Sequence, residues 1–83
     1  MSPAAAKPAP PNYARALVAF AERLYGDQWQ RDLSRALGVH FNTTYRIARA
    51  AREGQDYATA QQLLADLHAH LVAVVEEMGP WVK

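Results

Sequence analysis

The sequence predicts an all-α fold: a compact four-helix domain with a sharp corner between the second and third helices and a long C-terminal helix. Three observations predict it. Apolar residues recur at intervals of three and four in four separate stretches, the period of a helix with one buried face. No stretch alternates apolar with polar residues as a half-buried strand would. Gly26, Gly38, Gly54 and Gly79 divide the chain into helix-length pieces.

Residues 1–11, MSPAAAKPAPP, hold four of the five prolines and no apolar period, so they read as a disordered arm. The first helix follows Asn12, a good N-cap. Its stripe is Tyr13, Leu17, Phe20 and Leu24, with Arg15, Glu22 and Arg23 turned away from it, and Gly26 is placed to end it in a left-handed residue. Asp27 is placed to cap the second helix, whose Trp29, Leu33 and Leu37 recur every four residues and whose Gly38 ends it after about three turns. Val39 is one apolar residue between two helices, a plug for the corner. The third helix runs from about Phe41 to Arg52 and ends at Gly54. Asp56 or Thr59 opens the fourth, from about Tyr57 to Met78, which Gly79 and Pro80 stop.

Composition narrows the possibilities. The chain has 83 residues, one domain's worth, and about 70 of them are left to build a core. A core that small contributes about 3–5 kcal/mol of net stability, and small domains usually add disulfides, a metal or a partner subunit. With no cysteine, disulfides and thiolate zinc sites are excluded. A partner subunit is the supplement left. The longest apolar run, Leu71 to Val75, is far short of the roughly 20 residues of a membrane span. The N-terminal segment lacks the apolar stretch of a signal peptide, which makes a soluble cytoplasmic protein the expectation.

The net charge of +1 is distributed unevenly. Residues 31–52 hold Arg31, Arg35, Arg46, Arg49 and Arg52 against Asp32 alone, a surplus of +4. Residues 53–83 hold Lys83 against Glu53, Asp56, Asp66, Glu76 and Glu77, a deficit of −4. A basic middle beside an acidic end is the pattern of a chain with one face toward a polyanion, though a solvated charged surface accounts for it too. Inside the predicted fold every basic residue but the last is Arg, whose planar fork suits phosphate and guanine.

At 100° per residue, Thr44, Ile47, Ala48 and Ala51 fall on one side of the third helix and Asn42, Tyr45, Arg46 and Arg49 on the other. The first side is small and mostly apolar, suited to packing. The second is an amide, a phenol and two guanidinium groups, all able to bond base edges or phosphates.

The span from Gln30 to Ile47 resembles the helix-turn-helix of Cro/XRE-type DNA-binding regulators. Gln30 opens the first helix, Ser34 is the small residue four on, and Leu37 and Gly38-Val39 make the turn, with Leu33 at a core position. Thr43 and Arg46 match a Thr-x-x-Arg pattern in the second helix, and Ile47 its core residue. The stretch LYGDQWQRDLSRALGVHFNTTYRI is similar to small bacterial and phage regulators with a Gly-x-x-Trp-Gln lead-in. In two positions the chain departs from the pattern: Thr44 stands where Val or Ile is usual, and His40 where Ser or Thr caps the recognition helix. On this resemblance residues 12–56 form the DNA-binding region and the third helix enters a major groove.

The roles follow as expectations. Asn42 pairs with an adenine edge, and Arg46 or Arg49 forks onto a guanine. Phe41 rests on a thymine methyl or packs against the second helix. His40 and Thr43 touch phosphate, and Tyr45 touches phosphate or base. Gln28 and Gln30 bind a phosphate beside the free amides that open the second helix. Arg31 and Arg35 are flanking phosphate contacts or solvated charges, and Arg52 points sideways.

In the last helix, Tyr57, Ala60, Leu64, Leu67, Leu71, Val74, Met78 and Trp81 recur at three and four, widened by Leu63, Val72 and Val75. That is more apolar surface than one core needs. Residues 57–83 are therefore expected to form a homodimer through Leu64, Leu67, Leu71, Val74, Val75, Met78 and Trp81. A dimer places two recognition helices one DNA turn, about 34 Å, apart on a palindromic site. His68 and His70, two apart on a helix, lie on different faces, so no metal site is expected. No Ser, His and acid assemble at catalytic spacing, so no enzyme activity and no cofactor or small-molecule ligand are expected. The expected function is repression by operator occupancy, as in phage or mobile-element repressors. The alternatives are a helical protein-protein interaction module and a DNA-packaging or recombination accessory factor.

Overall fold

A computed structural model describes residues 12–82, and the arm expected over residues 1–11 lies outside them. Four α-helices follow in order: α1 Tyr13–Tyr25, α2 Trp29–Leu37, α3 Phe41–Arg52 and α4 Ala58–Met78. Short 3-10 turns at Gly26–Gln28 and Gly79–Trp81 follow α1 and α4. Among the described residues there is no strand.

α1 is the central element and touches each of the other three helices. Its buried residues are Ala14, Leu17 and Ala21. The expected stripe was rotated from this. Leu17 is in the core, but Phe20 and Leu24 are nearly half exposed, because the close helix–helix contacts run over alanines that a search for large apolar residues passes by. The same holds across the core: Ala48, Ala50 and Ala51 of α3 and Ala60 of α4 are buried around Leu17, Trp29, Leu33, Ile47, Leu63 and Leu67. The small residues bring backbones close, and each large aliphatic among them contributes about 1.5–3 kcal/mol by burial.

The helix ends are set by specific bonds. The Asn12 Oδ1 accepts the Arg15 N–H at 2.9 Å, as an N-cap should. Asp27, expected to cap α2, lies instead in the 3-10 turn. The N-cap of α2 is Gln28, and its side chain makes no capping bond. Asp56 does not cap α4 by its own helix start either. Its Oδ1 accepts the N–H of Tyr57 at 2.8 Å and that of Ala14 in α1 at 2.9 Å. Tyr57, not Thr59, is the N-cap of α4, again without a side-chain bond. One carboxylate thus ties the α3–α4 loop to the start of α1.

α2 and α3 meet at Gly38, Val39 and His40. Gly38 has φ +68° and ψ +29°, left-handed backbone that a side chain disfavours. The N–H groups of Gly38 and Val39 both reach the carbonyl of Ser34 and close the end of α2. Val39 is half-buried against the core, as its place in the corner requires. Beneath the corner, Thr44 is fully buried and Ser34 nearly so. Their hydroxyls lie 3.0 Å apart; Ser34 Oγ also reaches the Gln30 carbonyl at 2.7 Å and Thr44 Oγ1 the Phe41 carbonyl at 2.8 Å. Thr44 therefore fits a buried corner because its hydroxyl is satisfied there.

α4 is longer than the body it packs on. Its buried residues, Ala60, Leu63 and Leu67, all lie in its first half. Beyond Leu71 only Val74 is half-buried, and Val72, Val75, Met78, Trp81 and Val82 are exposed. No described helix is long and apolar enough to cross a membrane.

Candidate nucleic-acid interface

The helix that follows the corner presents two sharply different sides. Thr44, Ile47, Ala48 and Ala51 are buried, with Ala50 beside them, while Asn42, Tyr45, Arg46 and Arg49 are all exposed. The segregation expected from the helical wheel is the one observed. It follows from packing: α3 lies against α1 and α2 through its alanines and Ile47, and nothing covers its other side among the described residues.

His40 starts this helix. Its Nδ1 accepts the Asn42 N–H at 3.0 Å, so the imidazole does the work of the usual Ser or Thr. The bond uses Nδ1 as an acceptor and so leaves Nε2 as the ring's donor on an exposed side chain. Thr43 is half-buried and Phe41 about half exposed. Phe41 lines a shallow groove with Asp27, Gln28, Gln30 and Arg31, so the start of α3 and the start of α2 share one surface. Gln28 and Arg31 are exposed and Gln30 is half-buried, its carbonyl held in the corner network. Arg35, one turn beyond Arg31 on α2, is exposed as well. The amides at the start of α2 are less free than expected: the Trp29 N–H bonds back to the Gly26 carbonyl across the 3-10 turn.

One expected residue is not independent. The Arg49 Nε contacts the Glu53 Oε2 at 3.2 Å, the only ion pair among the described residues. Both side chains are about half exposed or more, so the pair is weak, worth about 0.3–0.5 kcal/mol at this i,i+4 spacing. It holds the guanidinium toward the C-terminal end of α3. Arg31, Arg35 and Arg46 are exposed and make no such pair. Glu53 was missed by sequence reasoning, although its four-residue offset from Arg49 was visible. Arg15 and Arg52 flank a separate cleft between α1 and α3, lined by Glu22, Trp29, Gln30 and Ala48.

Of the residues expected at a subunit interface, Leu67 is removed by its position: it is 1% exposed, inside the protein's own core. Leu64 and Leu71 are half-buried on the rim of an apolar groove between α1 and α4, and Val75, Met78 and Trp81 are exposed. No cluster of three metal-ligating side chains exists among the described residues. No known protein family, curated protein or solved structure matches this chain.

Proposed function

We propose that the chain is a sequence-specific DNA-binding regulator that acts as a homodimer and inserts α3 into the major groove as the recognition helix of a helix-turn-helix. The observation that carries this reading is the uncovered side of α3, where Asn42, Tyr45, Arg46 and Arg49 are all exposed and Phe41, at its start, shares a groove with Gln28, Gln30 and Arg31. Those side chains match base edges in chemistry: an amide for adenine, a guanidinium for guanine. Gln28 at the N-cap of α2, Arg31 and Arg35 on α2, and His40 and Thr43 at the corner are the proposed contacts to the flanking phosphates. In this reading Arg46 is the first choice for guanine, because Arg49 is shared with Glu53. Regulation follows from occupancy of a palindromic operator in the cytoplasm, and repression is the simplest outcome.

A second reading has its own observation. The exposed apolar end of α4 is the surface of a protein-interaction module, in which the helix pair is only scaffold. Titrating a labelled duplex at two salt concentrations separates the two. A DNA-binding chain weakens steeply with salt, by about 0.9 log units of affinity per log unit of salt for each phosphate neutralised. A chain that shows no affinity for duplex DNA in dilute buffer belongs to the second reading.

A further inference from the structure

The apolar groove between α1 and α4 and the bare end of α4 are two apolar surfaces of the same chain. The groove is walled by Tyr13 and Phe20 on α1 and by Leu64, Ala65, His68 and Leu71 on α4. No Asp, Glu, Lys or Arg lines it. The bare end carries Val72, Val75, Met78, Trp81 and Val82, with Trp81 86% exposed. Leu64, His68, Leu71, Val75 and Met78 are spaced four, three, four, three, so groove and bare end lie on one continuous seam of α4 with a heptad period.

We propose that a second copy of this chain fills the groove, its α4 crossing antiparallel so that Leu71 faces the partner subunit's Val75 and His68 the partner subunit's Met78. This deepens the homodimer reading above and rests on it. The direction follows from what each arrangement buries. Side by side and parallel, two bare ends cover one another and both grooves stay open. Antiparallel, each bare end lies over the other's groove, and Trp81 arrives at Ala65, where a small side chain leaves room between Phe20 and Leu64. The surface is large enough. A standard interface takes about 800 Å² from each partner. Trp81 exposes most, and Phe20 about half, of an aromatic side chain of about 150–250 Å², and the exposed parts of Leu24, Val72, Val75, Met78 and Val82 bring the exposed apolar surface to that order. His68 is a polar residue in the middle of the seam, with Gln61 at the far end of the groove, and a polar residue at such a position fixes register.

The chain has no cysteine, so single cysteines report the geometry directly. The full-length variants His68→Cys and Met78→Cys, both at exposed positions, are prepared separately, mixed and oxidised, and the solution mass of each is measured. In the antiparallel dimer the mixture gives a crosslinked 68–78 heterodimer. Each variant alone gives almost none, because ten residues of helix put like positions about 15 Å apart, beyond the roughly 7 Å that a disulfide spans. A dimeric mass with crosslinks between like positions overturns the antiparallel arrangement and leaves the dimer standing. A monomeric mass at micromolar concentration overturns both. Val75→Glu, at a site 65% exposed in the single chain, is expected to keep the helical circular dichroism and lose the dimeric mass. A dimer that survives Val75→Glu counts against the seam.

Discussion

The side-chain Oδ1 of Asp56 accepts the backbone N–H of Ala14 at 2.9 Å, joining positions 42 residues apart. That bond closes the domain: it fastens the loop after α3 to the first turn of the central helix. The Ala14 amide is also the main reason that the Asp56 carboxyl lies below its ordinary value of 3.8, with partial desolvation opposing it and the amides of Tyr57 and Tyr13 adding to it. A carboxyl lowered in the folded state stabilises the fold in full above its ordinary value, and that contribution fades as pH falls through the lowered one. Asp56→Ala is expected to lower the midpoint of thermal unfolding at pH 7 and to flatten its dependence on pH below about 4. Asp56→Asn, which keeps an acceptor oxygen, is expected to recover part of the midpoint but none of the acid dependence. Thermal melts across pH 2–7 check both.

Gly38 supplies left-handed backbone at the corner, with open space where a Cβ would stand. Gly38→Ala is therefore expected to cost only the backbone term, about 1–2 kcal/mol, with no clash added. Gly38→Asn should cost less, since Asn tolerates this conformation. Urea unfolding of the three chains measures the order.

Thr44 and Ser34 share the buried corner. Ser34 keeps the Gln30 carbonyl as acceptor when Thr44 loses its hydroxyl. Thr44→Val is thus expected to cost less than about 1.5 kcal/mol, whereas Leu33→Ala, which empties a fully buried site, costs about 2–5 kcal/mol. A double-mutant cycle with Ser34→Ala reads the coupling between the hydroxyls.

Arg49 is held by Glu53 in the free protein. Glu53→Gln is expected to tighten binding to duplex DNA by releasing the guanidinium and removing a negative charge near the phosphates. It should change folding stability by less than about 0.5 kcal/mol, as for an exposed pair. Fluorescence anisotropy with a fixed duplex and a urea titration separate the two effects.

Arg46 and Arg31 are expected to differ in kind. Arg46→Ala should relax base preference at one position, worth about 1–3 kcal/mol of discrimination. Arg31→Ala should weaken every duplex alike and reduce the slope against salt by about 0.9. Competition between related duplexes at several salt concentrations distinguishes them.

Much of this was legible in the residues. α3 has a strong contrast between a small inner side and a polar outer side, so both its bounds and its faces could be read, and Gly38 marked the corner because few other residues accept its backbone. α1 was misread by part of a turn, since its buried Ala14 and Ala21 carry no large apolar side chain to announce the face. The role of Asp56 was hidden for another reason. Its partner Ala14 is distant in sequence, and a carboxylate before a helix reads as that helix's own cap. The Asp27 cap failed because a 3-10 turn over Gly26–Gln28 carries the chain into α2, so that Gln28 and not Asp27 takes the N-cap position. Spacing groups Leu67 with Leu64 and Leu71 on one seam, but Ala60, Leu63 and Leu67 make the buried face of α4, turned from Leu64 and Leu71. A stripe broadened by Leu63 does not show which edge of it the rest of the domain covers.

The uncovered side of α3 is the proposed reader of duplex DNA. The most direct test is selection of bound sites from a pool of random duplexes by the full chain and by Arg46→Ala in parallel. The wild-type chain is expected to enrich one two-fold symmetric site with half-sites about one helical turn apart, and the variant to enrich it poorly or with a base position relaxed. Recovery of an unselected pool by the wild-type chain, or the same site with undiminished preference from Arg46→Ala, would contradict it.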